Sequence, residues 1–131
     1  NNFRRTTTDV KLTLQVISRL NRLNADGKIP VDLSNTDLRE VDLRDATLMR
    51  VNFSQSNLRD INLWGANLHD ASLWRANLQD AILYRANAQD ANLREANLQG
   101  ASLWYVNLEG ANLLDAILTG TILEKKPDAG G

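Results

Sequence analysis

The sequence predicts a solenoid entered through one helix, and three observations carry that expectation. From Val31 to Lys125 every fifth residue is Leu, apart from Phe53 and Ala88, which gives nineteen centre positions from Leu33 to Leu123 without an insertion. The residue two before each centre is Ala in eleven repeats and otherwise Val, Ile, Ser or Thr, and the residue between is mostly Asn or Asp. Neither the period of a helix, about 3.6, nor that of a strand, about 2, can hold all of these centres on one buried face. The chain must therefore turn once per repeat. If each repeat forms one side of a square, four repeats close a coil and the next coil stacks on it. The centre and the residue two before it point inward, the latter near a corner that admits only a small side chain, and the other three positions face solvent. No coil can bury its own apolar face, so stacking builds the core.

Ahead of the repeats, Asn1 to Thr7 is polar. Thr8 is placed as an N-cap, and Asp9 in the first turn suits the helix dipole. From Val10 to Asn24 the apolar residues Val10, Leu12, Leu14, Val16, Ile17, Leu20 and Leu23 share one arc of a helical wheel, with Lys11, Gln15, Ser18, Arg19 and Arg22 opposite. Gly27 is placed to stop the helix, and Ile29-Pro30 leads extended into the first repeat. Such a helix is the expected lid for the first coil, whose bare edge would otherwise invite aggregation. The rival role is a membrane-surface or partner-binding helix.

The segments Ala66-Asn67-Leu68, Ala76-Asn77-Leu78, Ala86-Asn87, Ala96-Asn97-Leu98 and Ala111-Asn112-Leu113 resemble the pentapeptide-repeat family, whose consensus is Ala, Asp or Asn, Leu and two free positions. The resemblance implies an all-β solenoid, specifically a right-handed quadrilateral parallel β-helix. With the N-terminal α-helical cap, the expected division is residues 1–30 as arm and cap, 31–125 as β-helix and 126–131 as a disordered tail. Ile82, Ile117 and Ile122 depart from the consensus at the polar position, and Ala88 departs at a centre. Ala88 falls in the column of Leu48, Leu68 and Leu108, where a small cavity or a pinched coil is expected.

Composition narrows the function. One domain suits 131 residues, and the absence of Cys removes disulfides and thiolate sites. No apolar run is long enough to span a membrane. The chain begins at Asn1, which fits a trimmed chain, a domain of a longer protein or a mature exported form. A cytoplasmic location is the default expectation, with the periplasm or a thylakoid lumen open. Residues 1–30 carry six bases against Asp9 and Asp26, whereas 31–125 carry thirteen acids against eight bases. A basic cap is thus expected on a mildly acidic rod.

No nucleophile is paired with a histidine base and no Gly-rich phosphate loop interrupts the repeats, so the pattern points away from an enzyme and calls for no cofactor. His69, Asp70 and Asp90 could meet on adjacent coils, but they are read as ordinary surface residues, because an imidazole and two carboxylates on solvated turns lack a supporting shell. The column Glu40, Asp60, Asp80 could attract Ca²⁺ or Mg²⁺, but adjacent Arg39 and Arg59 neutralise it more simply. No metal site is therefore expected.

Trp64, Tyr84 and Trp104 are spaced by one coil and should stack on one outer face above Arg44, with Ile82 and Ile122 beside them and Arg85 and Tyr105 at the corner. Trp74 is placed on a neighbouring face, where it is expected to extend the strip. This strip reads either as an aromatic ladder or as a protein-binding face. Leu114, Ile117 and Ile122 leave the last coil apolar and suggest weak C-terminal homodimerisation of an otherwise monomeric chain. The expectation is a noncatalytic scaffold with an unknown protein partner. Many members of the resembled family have no established role, and they are abundant in cyanobacteria. Other members mimic duplex DNA and bind gyrase, which gives the alternative. Duplex DNA would present roughly thirteen charges over a rod of about 23 Å. The net charge of −1 matches that poorly. Direct nucleic-acid binding is disfavoured because the bases are few and gather on the cap.

Overall fold

The structure, a computed structural model, describes residues 31–123 together with Arg22, Asp26 and Lys28. The expected capping helix lies, apart from the exposed Arg22, outside the described residues, as does the expected tail. Residues 31–123 form a β-solenoid. Fifteen parallel bridges each join the residue before one centre to its equivalent twenty residues on, from Asp32–Asn52 to Ser102–Ile122. Four repeats therefore complete each coil.

An inner repeat with Asn before its centre accounts for all five of its backbone N–H groups, as buried or half-buried backbone requires. In the repeat centred on Leu78, the Leu78 N–H donates to the Asn97 carbonyl of the following coil at 2.7 Å, and the Asp80 N–H to that of Gln99 at 2.9 Å. The Asn77 N–H reaches back to the Ser56 carbonyl at 3.0 Å, and the Ala81 N–H closes the corner onto the Leu78 carbonyl at 3.0 Å. The remaining N–H, that of Gln79, donates to the Asn77 side-chain Oδ1 at 3.1 Å. The same side-chain bond recurs from Ser34 on Asp32 to Leu114 on Asn112. This is the physical reason for Asn or Asp before the centre: a short acceptor placed to catch the amide two residues on.

The corners impose a second requirement. All eighteen residues that stand two after a centre, from Asn35 to Gly120, have positive φ, between 54° and 73°. With the bond from the third residue onward back to the centre, this is the pattern of a type II turn. L-residues enter that region at a cost, least for Gly, Asn and Asp. Those three types fill eleven of the eighteen positions. Gly65, Gly100 and Gly110 meet a further condition, since a Cβ on any of them would collide with Oδ1 of Asp45, Asp80 or Asp90 in the preceding coil.

Inward positions behave as the pattern requires. Phe53, Leu58, Leu63, Leu68, Leu73 and Leu78 are fully buried, and the residues two before a centre are buried from Val41 to Ala101, Ile61 included, and partly buried in the end coils. The corner therefore admits Ile and Val as well as smaller side chains. Among the described residues Ser56 is the one buried polar side chain; its hydroxyl donates to the Leu33 carbonyl at 2.6 Å. Ala88 is buried yet stands outside the contiguous apolar cluster. The stacking of the coils is undisturbed there, for the Ala88 N–H reaches the Asn107 carbonyl at 2.8 Å, an ordinary length for this rod.

At the last coil the core opens. Leu118 and Leu123 are centre residues, yet they are 43% and 68% exposed, alongside exposed Leu114, Ile117 and Ile122. No described coil stacks beyond them.

Two outcomes test this account. Asn77→Ala should cost about 1 kcal/mol in urea unfolding and speed hydrogen exchange at the Gln79 amide, while Asn77→Asp keeps both near wild type. Ala88→Leu should raise stability by about 2 kcal/mol if its side chain enters the core beside Leu68, since the reverse change typically costs about that or more; a lower unfolding midpoint would mean that the neighbours have already closed the space.

Candidate protein-binding face

The side-chain geometry of the rod follows from strand alternation. Residues immediately before and after a centre point to the same outer side, two positions apart. Asp37 and Arg39 meet there in a bidentate pair at 2.9 and 2.7 Å, and Asp42 and Arg44 repeat it. Hydrogen bonds from Arg44 hold the Asp42 carboxylate below its ordinary range. Arg39 therefore does not neutralise Glu40, as its adjacency suggests, but grips Asp37. Arg59 does lie near Asp60, with Nε at 3.6 Å from Oδ2. Glu40, Asp60 and Asp80 do not converge. Among the described residues, the one group of three His or acidic side chains able to share an ion is His69, Asp70 and Asp90.

The aromatic column is assembled one coil at a time. Trp64, Tyr84 and Trp104 each follow a centre on the same side of the rod. Trp64 meets Tyr84 edge-on, with centroids 4.5 Å apart and planes at 78°. Tyr84 and Trp104 are 4.6 Å apart at 34°. Tyr105 stacks on Trp104 at 4.5 Å and closes on Tyr84 at 6.1 Å. The Arg85 guanidinium lies 5.2 Å from the Tyr84 centroid and 5.9 Å from that of Tyr105, within the range of cation–π attraction. Ile82 is bridged between Asn62 and Ser102, and Ile122 continues that row. Arg44 occupies the expected position below Trp64 but is committed to Asp42.

The column buries only part of its surface. Trp64 is 47% exposed, Tyr105 64% and Ile82 38%, whereas Tyr84 and Trp104 are half-buried between their neighbours. Tyr105 also holds a left-handed backbone with φ of 58°, a conformation that a bulky side chain adopts at a cost.

Trp74 belongs to a separate cluster. Its indole Nε1–H donates to Glu95 Oε2 at 3.0 Å, Arg75 Nε donates to the same oxygen at 2.9 Å, and the Arg75 guanidinium covers the Trp74 ring at 4.6 Å. Trp74 has no ring contact with the Tyr84 column among the described residues, so the aromatic surface is divided in two. Spacing by twenty located the column, but only the Glu95 bond reveals that Trp74 is held elsewhere.

Hydrogen bonding from Arg75, with a smaller contribution from Trp74, lowers the Glu95 carboxyl below its ordinary value. The stabilisation it supplies is therefore present above the unfolded-state carboxylate value and is lost as pH falls through the lower folded-state one. The Trp74 indole N–H resonance should move in an acid titration whose midpoint lies below the usual carboxylate range, and Glu95→Gln should abolish that step while leaving the Trp64 and Trp104 indoles unmoved.

Comparison with known proteins agrees with this architecture. The family model described as Pentapeptide repeats (8 copies) matches residues 31–65, 61–100 and 91–125. A pentapeptide repeat protein, Rfr23, from the cyanobacterium Cyanothece 51142 is 39% identical over 73% of this chain and 66% of its own, with a TM-score of 0.71. A pentapeptide repeat protein from the thylakoid lumen of Arabidopsis thaliana is 30% identical over 74% of this chain and 72% of its own, with a TM-score of 0.41. HetL of Nostoc sp. strain PCC 7120, a pentapeptide repeat protein involved in heterocyst differentiation regulation, is 33% identical over 70% of this chain and 48% of its own, with a TM-score of 0.33. This chain thus spans less than two thirds of the length of Rfr23 and about half that of HetL. Comparison with curated proteins finds no significant match. Among the described residues no helix is long and apolar enough to cross a membrane. The family match covers most of the chain, in register with the turns and bridges of the solenoid, and the chain belongs to the pentapeptide-repeat proteins.

Proposed function

We propose that the chain is a noncatalytic interaction scaffold that presents Trp64, Tyr84, Trp104 and Tyr105, with Ile82 and Arg85, to a protein partner. The observation that carries this reading is the exposure of Trp64 and Tyr105 at the two ends of a contiguous aromatic column. A ladder serving stability alone would bury its rings against one another. This column leaves Trp64 and Tyr105 exposed and places Arg85 beside Tyr105, a combination enriched at binding hot spots. The left-handed Tyr105 supports the same reading, because Asn or Gly at that corner would cost the fold less.

In the proposed whole, the rod is a right-handed quadrilateral β-helix behind a helical cap over residues 1–30, monomeric or weakly dimeric through Leu114, Ile117 and Ile122. Trp74, held by Glu95 and Arg75 half a coil away from the column, does not extend the face. Mimicry of duplex DNA fits less well, since the rod pairs Asp37, Asp42 and Glu95 with arginines on its own surface.

Tyr105→Asn separates binding from folding. It should leave thermal stability unchanged or slightly higher, yet weaken capture of the partner from source lysate; Trp64→Ser with Tyr84→Ser and Trp104→Ser should abolish capture while the circular dichroism spectrum is kept. Capture that survives the triple variant would assign the column to stability alone. Light scattering at high concentration should show a small dimer fraction that Ile117→Asp removes.

A further inference from the structure

We propose that His69, Asp70 and Asp90 form a surface site for a divalent transition-metal ion of the Zn²⁺ class. The three residues come together because the rod repeats every twenty residues. Asp70 and Asp90 occupy the same corner on successive coils, and His69 precedes Asp70 in the lower one. One ligand atom from each lies within 4.8 Å of the others, close enough for a single ion to contact all three.

The imidazole is oriented by a group outside the trio. His69 Nδ1 lies 3.2 Å from the Gln89 main-chain carbonyl. A carbonyl can only accept, so Nδ1 carries the proton and, in the neutral ring, the lone pair falls on Nε2. Nε2 is the nitrogen that stands 3.3 Å from Asp70 Oδ2. A ring nitrogen bonded to a backbone carbonyl, with the other aimed at the ligand set, is the arrangement that metal-binding histidines commonly adopt. The Gln89 carbonyl is the support that an imidazole on a solvated turn otherwise lacks.

The second carboxylate is also placed. Asp90 Oδ1 lies over Gly110, where any Cβ would collide with it, so glycine in the following coil gives the carboxylate its room. The same Asp-over-Gly pairing occurs at Asp45 with Gly65 and at Asp80 with Gly100, but no imidazole joins those corners, since His69 is the chain's single histidine. Arg50 Nε forms a loose, exposed ion pair with Asp70 Oδ2 at 3.9 Å, beyond hydrogen-bond length, which a bound cation would displace.

The donor set selects the ion. Two carboxylates and a neutral imidazole together carry a charge of −2, which a divalent cation cancels. The imidazole favours Zn²⁺, Co²⁺ or Ni²⁺ over Mg²⁺ and Ca²⁺, which take oxygen ligands. Three protein ligands on a convex surface leave the remaining positions to water or to a side chain from another molecule.

The single histidine makes the test direct. In the tag-free chain at neutral pH, titration with Zn²⁺ alone should move the His69 Nε2 resonance saturably, with one equivalent bound and a much smaller change at Nδ1. Asp90→Asn and Asp70→Asn should each weaken binding by roughly tenfold or more. Asp80→Asn, a carboxylate over glycine at another corner, should change nothing. Mg²⁺ at millimolar level should not compete. The proposal is overturned if no saturable shift appears below about 1 mM Zn²⁺, if Nδ1 carries the shift, or if both Asp variants, folded by circular dichroism, bind as the native chain does.

Discussion

The structure depends on pairing between equivalent positions twenty residues apart. Each coil donates two amides per repeat to the next and one to the preceding coil, so a shift of one residue would break every bridge at once. The five-residue spacing of the centres and the left-handed corner keep that register, and the Asn or Asp side chain satisfies the amide that no neighbouring coil can reach. Burial of the centres supplies the driving force, while the hydrogen bonds decide which stacking is allowed.

This constraint also explains why the surface can be varied without disturbing the rod. The residue after each centre projects outward and makes no obligatory side-chain bond, so Ser, Arg, Met, Trp, His, Gln and Tyr all occupy it. One stack of such positions carries the aromatic column, and another carries His69. Strict stacking turns residues far apart in sequence into neighbours at fixed spacing, which lets an extended rod build local surfaces without a loop or a cleft. The amide ladders show the limits of this principle. Asn67, Asn87 and Asn107 bond side chain to side chain at 3.4 and 3.2 Å. Both they and Asn57, Asn77 and Asn97 hold their own turn amides, but the latter three show no such bond between them among the described residues.

Much of this was legible in the chain. The period of the centres predicted the coil, and spacing by twenty predicted the Trp64, Tyr84, Trp104 column and the neighbourhood of Asp70 and Asp90. A left-handed corner could have been read from the Asp, Gly and Asn residues that recur two after a centre. Other contacts were not legible. Arg39 has Glu40 beside it in sequence and Asp37 two residues away, and alternation across the strand favours the latter. Trp74 differs from Trp64 by ten residues, half a coil, which places it on another side with Glu95.

The sequence by itself determined the register, the core and the columns, because a strict repeat leaves stacking as the way to bury nineteen inward side chains. Tertiary structure decided what each column does. Ring planes, the exposure of Trp64 and Tyr105, the Gln89 carbonyl on His69 and the opening of Leu118 and Leu123 depend on rotamers and on what lies one coil away. A linear spacing names the neighbours of a side chain, but only packing sets the direction in which it points.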